Sequence, residues 1–431
     1  RSALFAPVRP LGLVVVDEEH EPAYKQDESP RYNARDVAVM RGRLEGCAVV
    51  LGSATPSLES FHNARAGKYR LVRMLRRVDH RVMPAVRVVD MRIEAEKAGA
   101  AHLLSQDLIE AVRLRLSQGE QTMLFLNRRG YATTVMCPLC GHVETCPHCS
   151  VKMTYHKHAE QMLCHVCGEV RAVPVVCGNP DCRAPNIKMS GVGTQRVEAA
   201  VRKVFPRARI ARMDSDTTGA KDAHAQILGK FRRGDLDILI GTQMIAKGLD
   251  FPNVTLVGVI LADLGLQMPD FRAAERTFQL LTQVAGRAGR GDVPGEVLVQ
   301  TYTPFHPAVQ SSRNADYDTF FDQEIEMRRE LRYPPFTRLA TVLFRGKEEG
   351  DVSAAATDFA GRLRARLPEA VRLTGPAPAP LAKAKGFHRY QLMLWAGAVR
   401  DFAPVLRALL KAFKPPKGVT LAVNIDALSL M

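Results

Sequence analysis

The chain has 431 residues, 46% of them hydrophobic, and its 60 Lys plus Arg against 45 Asp plus Glu leave a formal net charge of +15, so two to four domains with ordinary cores are expected. Neither a charged-then-apolar leader nor an unbroken run of about eighteen apolar residues occurs, which leaves export and membrane spanning unsupported and a cytoplasmic protein expected. The basic excess favours a polyanionic partner through counterion release, nucleic acid first, although ribosome-associated and merely soluble basic proteins share it.

In chain order, "LGLVVV", "CAVVLGSATP", "TMLFLNRRG", "LDILIGTQ" and "VTLVGVILAD" are short aliphatic runs that end in polar or glycine-rich loops, with helix-like stretches between them. This alternation predicts an α/β protein whose parallel strands gather functional loops at their carboxyl ends. Residues 137–182 interrupt it with Cys, His, Pro and Gly and little apolar periodicity, which marks an insertion with its own source of stability. From "YPPF" at 333–336 a third region begins. Its strand-like "RLATVLF", helical 351–366, a weaker strand near 371, "RYQLMLW", helical 399–413 and "VTLAVNI" read β-α-β-β-α-β, a ferredoxin-like α+β unit. "TGPAPAPLAKAKG" at 374–386 reads as a mobile loop.

Eight of the nine cysteines are paired: Cys137 with Cys140, Cys146 with Cys149, Cys164 with Cys167, and Cys177 with Cys182. Paired thiolates on tight turns hold tetrahedral zinc, whereas a disulfide framework does not suit a reducing compartment. Gly141, Gly168 and Gly178 can take the positive φ of such turns. The second and third pairs have the spacing of a zinc ribbon, which leaves the first and fourth to close an outer site, so two nested structural Zn²⁺ sites are expected. Reduced core cysteines are the bland alternative. His142, His148, His156, His158 and His165 could replace a sulfur, but the cysteines suffice by count, and Cys47 reads as an ordinary core residue.

"DEEH" puts Asp17 just beyond a buried strand, where it can hold the water shell of Mg²⁺, with Glu18 beside it to orient an attacking water. Alone this could equally be a solvated helix cap. "LGSATP" adds Ser53 and Thr55, small hydroxyl residues able to link neighbouring loops. "TQVAGRAGRG" adds Gln283, Arg287 and Arg290, whose guanidinium groups can reach a γ-phosphate from a facing domain.

With these three motifs in order, and with "RYNARDVAV", "LFLNRRGYA", "RMDSDTT", "GTQMIAKGLDFPNVTLV", "PDFRAAERTFQLL" and the cysteine block after "LFLNRRGYA", the chain resembles the PriA family of replication-restart helicases in superfamily 2. The resemblance implies a partial first RecA-like lobe over 1–78 and a linker and start of the second lobe over 79–136. The two-zinc insertion follows at 137–182, the rest of the second lobe at 183–332, and a C-terminal DNA-binding domain at 333–431. It implies an ATP-dependent 3′-to-5′ DNA helicase that acts at stalled or branched forks with primosome proteins and single-stranded DNA-binding protein.

Carried over by residue, the resemblance makes Asp17 and Glu18 the magnesium and water-activating carboxylates, with His20 coupling them to DNA binding. Gln283, Arg287 and Arg290 become the sixth motif, and Gly248 and Asp250 lie near the nucleotide. Thr242 and Gln243 become backbone or DNA contacts, as do Ser53 and Thr55. The family's aromatic-rich DNA-sensing loop corresponds to Tyr24, Lys25, Arg31, Tyr32 and Arg35. Packing of both tyrosines against the lobe is the alternative. Lys383, Lys385, His388 and Arg389, close to Trp395, form a DNA-facing edge, and Arg128 and Arg129 read either as phosphate contacts or as a solvated pair.

No G-x-x-x-x-G-K-[ST] phosphate loop occurs in the 431 residues, so ATP and Mg²⁺ are expected only in a complete protein, of which this chain reads as a carboxy-terminal piece, and negligible hydrolysis is expected from the piece alone. A non-motor, zinc-stabilised DNA-binding scaffold is the alternative. An RNA helicase or restriction translocase shares the motor motifs but not the cysteines.

Overall fold

A computed structural model of the chain describes residues 1–74, 84–99, 102–126, 134–137, 139–156, 159–185, 188–190, 193–214, 223–242, 251–289 and 293–430. They form two compact units, Arg1–Arg73 with Cys164–Glu169 and Glu324–Met431, and Met74–Leu163 with Val170–Gln323.

The first unit opens with aliphatic strand β1 (Leu13–Val16), helix α1 (Ala34–Glu45), strand β2 (Ala48–Leu51) and helix α2 (Leu58–Arg65). Asn33 caps α1 by accepting from the Arg35 amide at 3.0 Å, and Gly46 ends it in the left-handed region, the pairing of Asx start and glycine stop that leaves few helix-end groups unsatisfied. β1 and β2 pair in parallel with Val16 opposite Leu51. That register brings the loops after both strands, "DEEH" and "GSATP", to one end of the pair.

The second unit contains β3 (Ala85–Asp90), α3 (Met91–Ala98), α4 (Gln106–Ser117) and β4 (Gln121–Phe125), then the short strands β5 (Thr134–Met136), β6 (Thr154–His156), β7 (Gln161–Leu163), β8 (Val170–Ala172) and β9 (Lys188–Ser190) around the cysteine block. It continues through α5 (Thr194–Val204), β10 (Ile210–Met213), α6 (Ala223–Arg232), β11 (Ile238–Gly241), β12 (Val254–Val259), α7 (Asp263–Leu266), α8 (Ala273–Ala285), β13 (Glu296–Thr301) and α9 (Pro307–Arg313). Six of the strands make one parallel sheet in the order β10-β11-β4-β12-β13-β3. Both faces are covered: Met123, Phe125, Val257, Val259, Val297 and Val299 enter one core, while Leu124, Leu256 and Leu298 enter another. Alternation of this kind, with apolar residues on both faces of a strand, is what a sheet sandwiched between helix layers requires. Gly258 is dictated by the same packing, since a Cβ there would sit 2.8 Å from side-chain carbons of both Leu108 and Leu124. This is a RecA-like lobe interrupted by the cysteine block.

After α10 (Tyr317–Glu330), β14 (Arg338–Gly346), α11 (Glu349–Arg364), β15 (Arg372–Ala384), β16 (Phe387–Ala396), α12 (Ala403–Ala412) and β17 (Thr420–Ile425) complete the first unit. Their antiparallel sheet has the order β15-β16-β14-β17, and Phe344, Phe359, Leu394, Phe402 and Leu406 form the core between sheet and helices. The β-α-β-β-α-β reading therefore holds and the unit is ferredoxin-like. Residues 374–386 are not a loop: most of them belong to edge strand β15, with Ala377 and Ala379 buried and the bulges between Thr374 and Ala377 and between Pro378 and Lys383 absorbing the prolines. Proline survives in a sheet only where a missing N–H breaks no ladder, at edges and bulges. Among the described residues, no helix is long and apolar enough to cross a membrane.

Candidate functional site

In the first unit, Asp17 follows the buried end of β1 and is exposed, its Oδ1 accepting from the Glu18 amide at 3.0 Å. Glu18 has φ 47°, a left-handed conformation that costs a non-glycine residue energy. That turn separates the three carboxylates. Asp17 and Glu18 stay at the surface end of the strand, while Glu19 turns inward and is 3% exposed.

His20 shares a 2.7 Å hydrogen bond between Nδ1 and Ser53 Oγ, and Ser53 Oγ also accepts from the Thr55 amide at 3.0 Å. The acidic turn and the "GSATP" loop are thereby latched together, and Thr55 is buried in the latch.

Sequence reasoning missed Glu19. Its Oε1 accepts from the Ser57 amide at 2.5 Å, and its Oε2 from Ser57 Oγ, Ser60 Oγ and Arg35 Nη1 at 3.1, 2.8 and 3.1 Å. The third acid of "DEEH" is the available signal, but nothing local says which acid turns inward. Arg35 is correspondingly not at a DNA surface: it is 8% exposed and bonded to Glu19, to Ser57 Oγ at 2.6 Å and to Asp36 at 3.1 Å. Burial opposes its charge, but the Asp36 and Glu19 carboxylates outweigh that and hold its pKa above the usual arginine value. Burial of either charge alone would be prohibitive, so each requires the other.

Lys25 also departs from expectation. The residue is 5% exposed, its ammonium donates to the Ile425 carbonyl at 2.7 Å, and burial pulls its pKa down. Both tyrosines of the loop are partly buried: the Tyr24 hydroxyl donates to the Asp17 carbonyl at 2.6 Å, and Tyr32 packs edge-on against Phe5 at 5.3 Å between ring centroids. Trp395 is 2% exposed against Tyr333 and Arg372, so the basic edge expected beside it has no accessible indole. Lys383 and Lys385 of that edge are exposed, whereas burial lowers the Arg389 pKa and the side chain donates to the Leu381 carbonyl at 3.2 Å.

In the second unit, α8 delivers Gln283 and Arg287, both partly buried, at its carboxyl end. The Gly289 amide donates to the carbonyl of Val254, the first residue of β12, at 3.1 Å. Residues 286–289 of "GRAGR" therefore lie at the amino edge of the sheet, not at the carboxyl edge where functional loops are expected, because α8 runs the length of the sheet before the motif begins. Gly289, at φ 66°, and Gly295 touch backbone to backbone: a Cβ on either would lie 2.4 or 2.3 Å from the other's amide nitrogen. Thr242, partly buried, follows β11 at the carboxyl edge. Gln243, Gly248, Asp250, Arg290, Arg128, Arg129 and His158 lie outside the described residues.

The eight cysteines form two tetrads, Cys137, Cys140, Cys177 and Cys182, and Cys146, Cys149, Cys164 and Cys167, with all four sulfurs of each within 4.8 Å of one another. This is the nested pairing read from spacing. Each second cysteine is followed by a residue with positive φ: Gly141 at 73°, Ser150 at 52°, Gly168 at 88° and Arg183 at 44°. Gly178 has no such conformation. In three pairs the residue after the second cysteine donates to the carbonyl of the first, as Gly141 to Cys137 at 2.9 Å, Ser150 to Cys146 at 3.0 Å and Gly168 to Cys164 at 2.8 Å. The longer fourth pair makes the equivalent bond from Arg183 to Asn179 at 3.1 Å. Cys47, outside both tetrads, is partly exposed and not a core residue.

The donor set fits zinc. Cys137 to Cys182 and Cys140 to Cys177 sulfur distances are 3.8 and 3.5 Å, close to the edge of about 3.8 Å that a tetrahedron with Zn–S of about 2.3 Å has. Burial pushes the Cys177 thiol up to about 12 and raises that of Cys182, so thiolates gathered there need a cation. Four sulfurs leave no open position, as expected of a structural site. His142 bonds Glu144 at 3.2 Å and His165 bonds the Pro378 carbonyl at 2.8 Å, and neither belongs to a tetrad. Gln391 Nε2 donates in turn to the His165 carbonyl at 2.9 Å, seating the third cysteine loop on the ferredoxin-like sheet.

Three family models match the chain: "Primosomal protein N C-terminal domain" over 329–428, "Helicase conserved C-terminal domain" over 192–292, and "PriA DNA helicase Cys-rich region (CRR) domain" over 146–171. Replication restart protein PriA of Bacillus subtilis (strain 168) is 46% identical across all of this chain and 54% of its own length. That of Chlamydia pneumoniae is 43% identical across all of this chain and 57% of its own. The chain thus spans little more than half the length of these relatives. A solved structure of RecG bound to a three-way DNA junction matches 74% of this chain and 33% of its own at 12% identity and TM-score 0.32, too loose a likeness to bear on function.

Proposed function

The chain belongs to the PriA family of replication restart proteins, and from that premise we propose that it is the motor-completing and zinc-bearing part of an ATP-dependent 3′-to-5′ DNA helicase that acts in replication restart and primosome assembly at stalled or branched forks. The observation that carries the reading is the His20 to Ser53 hydrogen bond of 2.7 Å, which joins the acidic turn to the loop of the neighbouring strand.

In this reading the exposed Asp17 carboxylate would hold the water shell of Mg²⁺, and Glu18, held in its left-handed turn, would orient the attacking water. Mg²⁺ with ATP supplies the phosphoryl-transfer chemistry. His20 passes the state of that turn to Ser53 and so to Thr55. Glu19 does not meet nucleotide; it positions the turn by anchoring it to the cap of α2. In the same reading Gln283, Arg287 and Arg290 would serve the γ-phosphate, and Gly248 and Asp250 the nucleotide. Thr242 and Gln243 would contact DNA, and zinc held by the two cysteine tetrads would brace an appendage for primosome proteins and single-stranded DNA-binding protein. The cytoplasm is the setting. These 431 residues carry no G-x-x-x-x-G-K-[ST], so they alone are expected to hydrolyse ATP negligibly.

The test is DNA-stimulated ATP hydrolysis and fork unwinding by the complete gene product. Asp17→Asn and Arg287→Ala should each reduce hydrolysis by about a hundredfold or more while fork binding persists. Hydrolysis unchanged in both variants would overturn the proposal.

A further inference from the structure

Phe305 is 77% exposed. A single surface hydrophobe is ordinary, but the loop that presents this one is held at several points. The buried Asp263 carboxylate accepts from Thr301 Oγ1 at 3.0 Å, the Tyr302 amide at 2.9 Å and Thr303 Oγ1 at 2.7 Å. Gln310 Nε2 donates to the Pro304 carbonyl at 2.6 Å, and His306 Nδ1 accepts from the Ala308 amide at 3.2 Å to cap α9. The chain is therefore clamped immediately before and immediately after a ring that gains almost nothing from burial.

The ring has a cation beside it, and the neighbouring strand end fixes that cation. β13 pairs with β3 so that Thr301 lies opposite Asp90, and Asp90 holds Arg92 by bonds of 2.9 Å to Nε and 2.6 Å to Nη2. The Arg92 guanidinium carbon lies 5.6 Å from the Phe305 ring centroid. An aromatic face and a fixed, partly exposed guanidinium thus stand together at the carboxyl edge of a parallel sheet, the edge at which α/β sheets place their ligands.

We propose that Phe305 and Arg92 form a platform for one unpaired nucleobase of a bound single strand, the base stacking on the ring and the guanidinium meeting the flanking phosphate, an inference that rests on the DNA-handling role proposed above. A ring and a cation without directed hydrogen-bond acceptors suit any base and no particular sequence. Duplex DNA, whose bases are already stacked, should not engage the site.

The chain's single tryptophan, Trp395, is buried, so Phe305→Trp adds one exposed reporter. In the full 431-residue chain, oligodeoxythymidylate should quench the new indole, duplex DNA of equal length should not, and the wild-type signal should stay constant. By fluorescence anisotropy of a labelled oligomer, Phe305→Ala should weaken single-strand binding about tenfold, with Phe305→Trp restoring it. Oligomer binding that persists without quenching and is unchanged in Phe305→Ala overturns the platform while leaving the proposed function standing. Absence of any oligomer binding by the wild-type chain likewise overturns the platform, whereas the proposed function falls only with the hydrolysis test on the complete gene product.

Discussion

The Glu19 carboxylate and the Arg35 guanidinium meet at 3.1 Å, in residues 3% and 8% exposed, linking the acidic turn to the start of α1. Removing one partner of such a pair leaves the other charged and buried, which typically costs about 3–5 kcal/mol. Glu19→Ala or Arg35→Met should lower the unfolding free energy of the first unit by that order in urea titrations. Asp36→Ala, on the exposed side of the same arginine, should change it by less than about 1 kcal/mol. Equal losses for all three would show that Glu19 is not anchored inside.

The nested tetrads make a metal-counting prediction. Wild-type protein purified without chelator should carry about two zinc ions per chain by elemental analysis. Cys137→Ser with Cys182→Ser should lose one, because both ligate the same ion, whereas Cys137→Ser with Cys146→Ser should lose both. One ion lost in each double variant would refute the pairing.

His306 should make stability depend on mild acid. Burial, with Lys152 adding repulsion, pulls its pKa from 6.5 to about 4, and its Nδ1 must stay unprotonated to cap α9. The folded state therefore disfavours the proton that the unfolded chain accepts. The contribution is present above about pH 6.5 and is lost as pH falls towards about 4, to a total of up to about 3 kcal/mol. His306→Asn keeps a capping side chain and should flatten stability across that interval in denaturant titrations at stepped pH. A slope unchanged by the substitution would assign the effect elsewhere.

Two glycines beside the first tetrad should respond differently to alanine. At Gly141, φ is 73° and a Cβ would lie 2.3 Å from Tyr302 Cβ, so Gly141→Ala must move a side-chain root or a strand end and should cost about 2 kcal/mol or more. At Gly178 the nearest obstacle is Glu144 Oε1 at 2.3 Å, the tip of a flexible side chain. Gly178→Ala should therefore cost little. Rates of zinc release to a chromogenic chelator would separate them.

Local rules are legible where a short span contains all the participants. The strand-to-loop alternation, the β-α-β-β-α-β order and the cysteine pairing each follow from spacing along the chain. Lys25 and Arg35 defeat such a reading because a cation near tyrosines looks the same in sequence whether it meets phosphate or a carbonyl far along the chain, and Lys25 meets Ile425. Residues 374–386 defeat it because proline-rich composition resembles a loop until an adjacent strand, here β16, makes it an edge.

The linear chain alone specifies which segments become strands, that two sets of four sulfurs can close around metal, and to which family the motifs belong, because turn geometry and side-chain period act over a few residues. Folding in three dimensions settles that Glu19 turns inward while Asp17 and Glu18 do not, that residues 286–289 return to the amino edge of their sheet, and that Phe305 stands exposed on a clamped loop. These outcomes depend on which distant groups exclude water from one another, and no linear spacing encodes that exclusion.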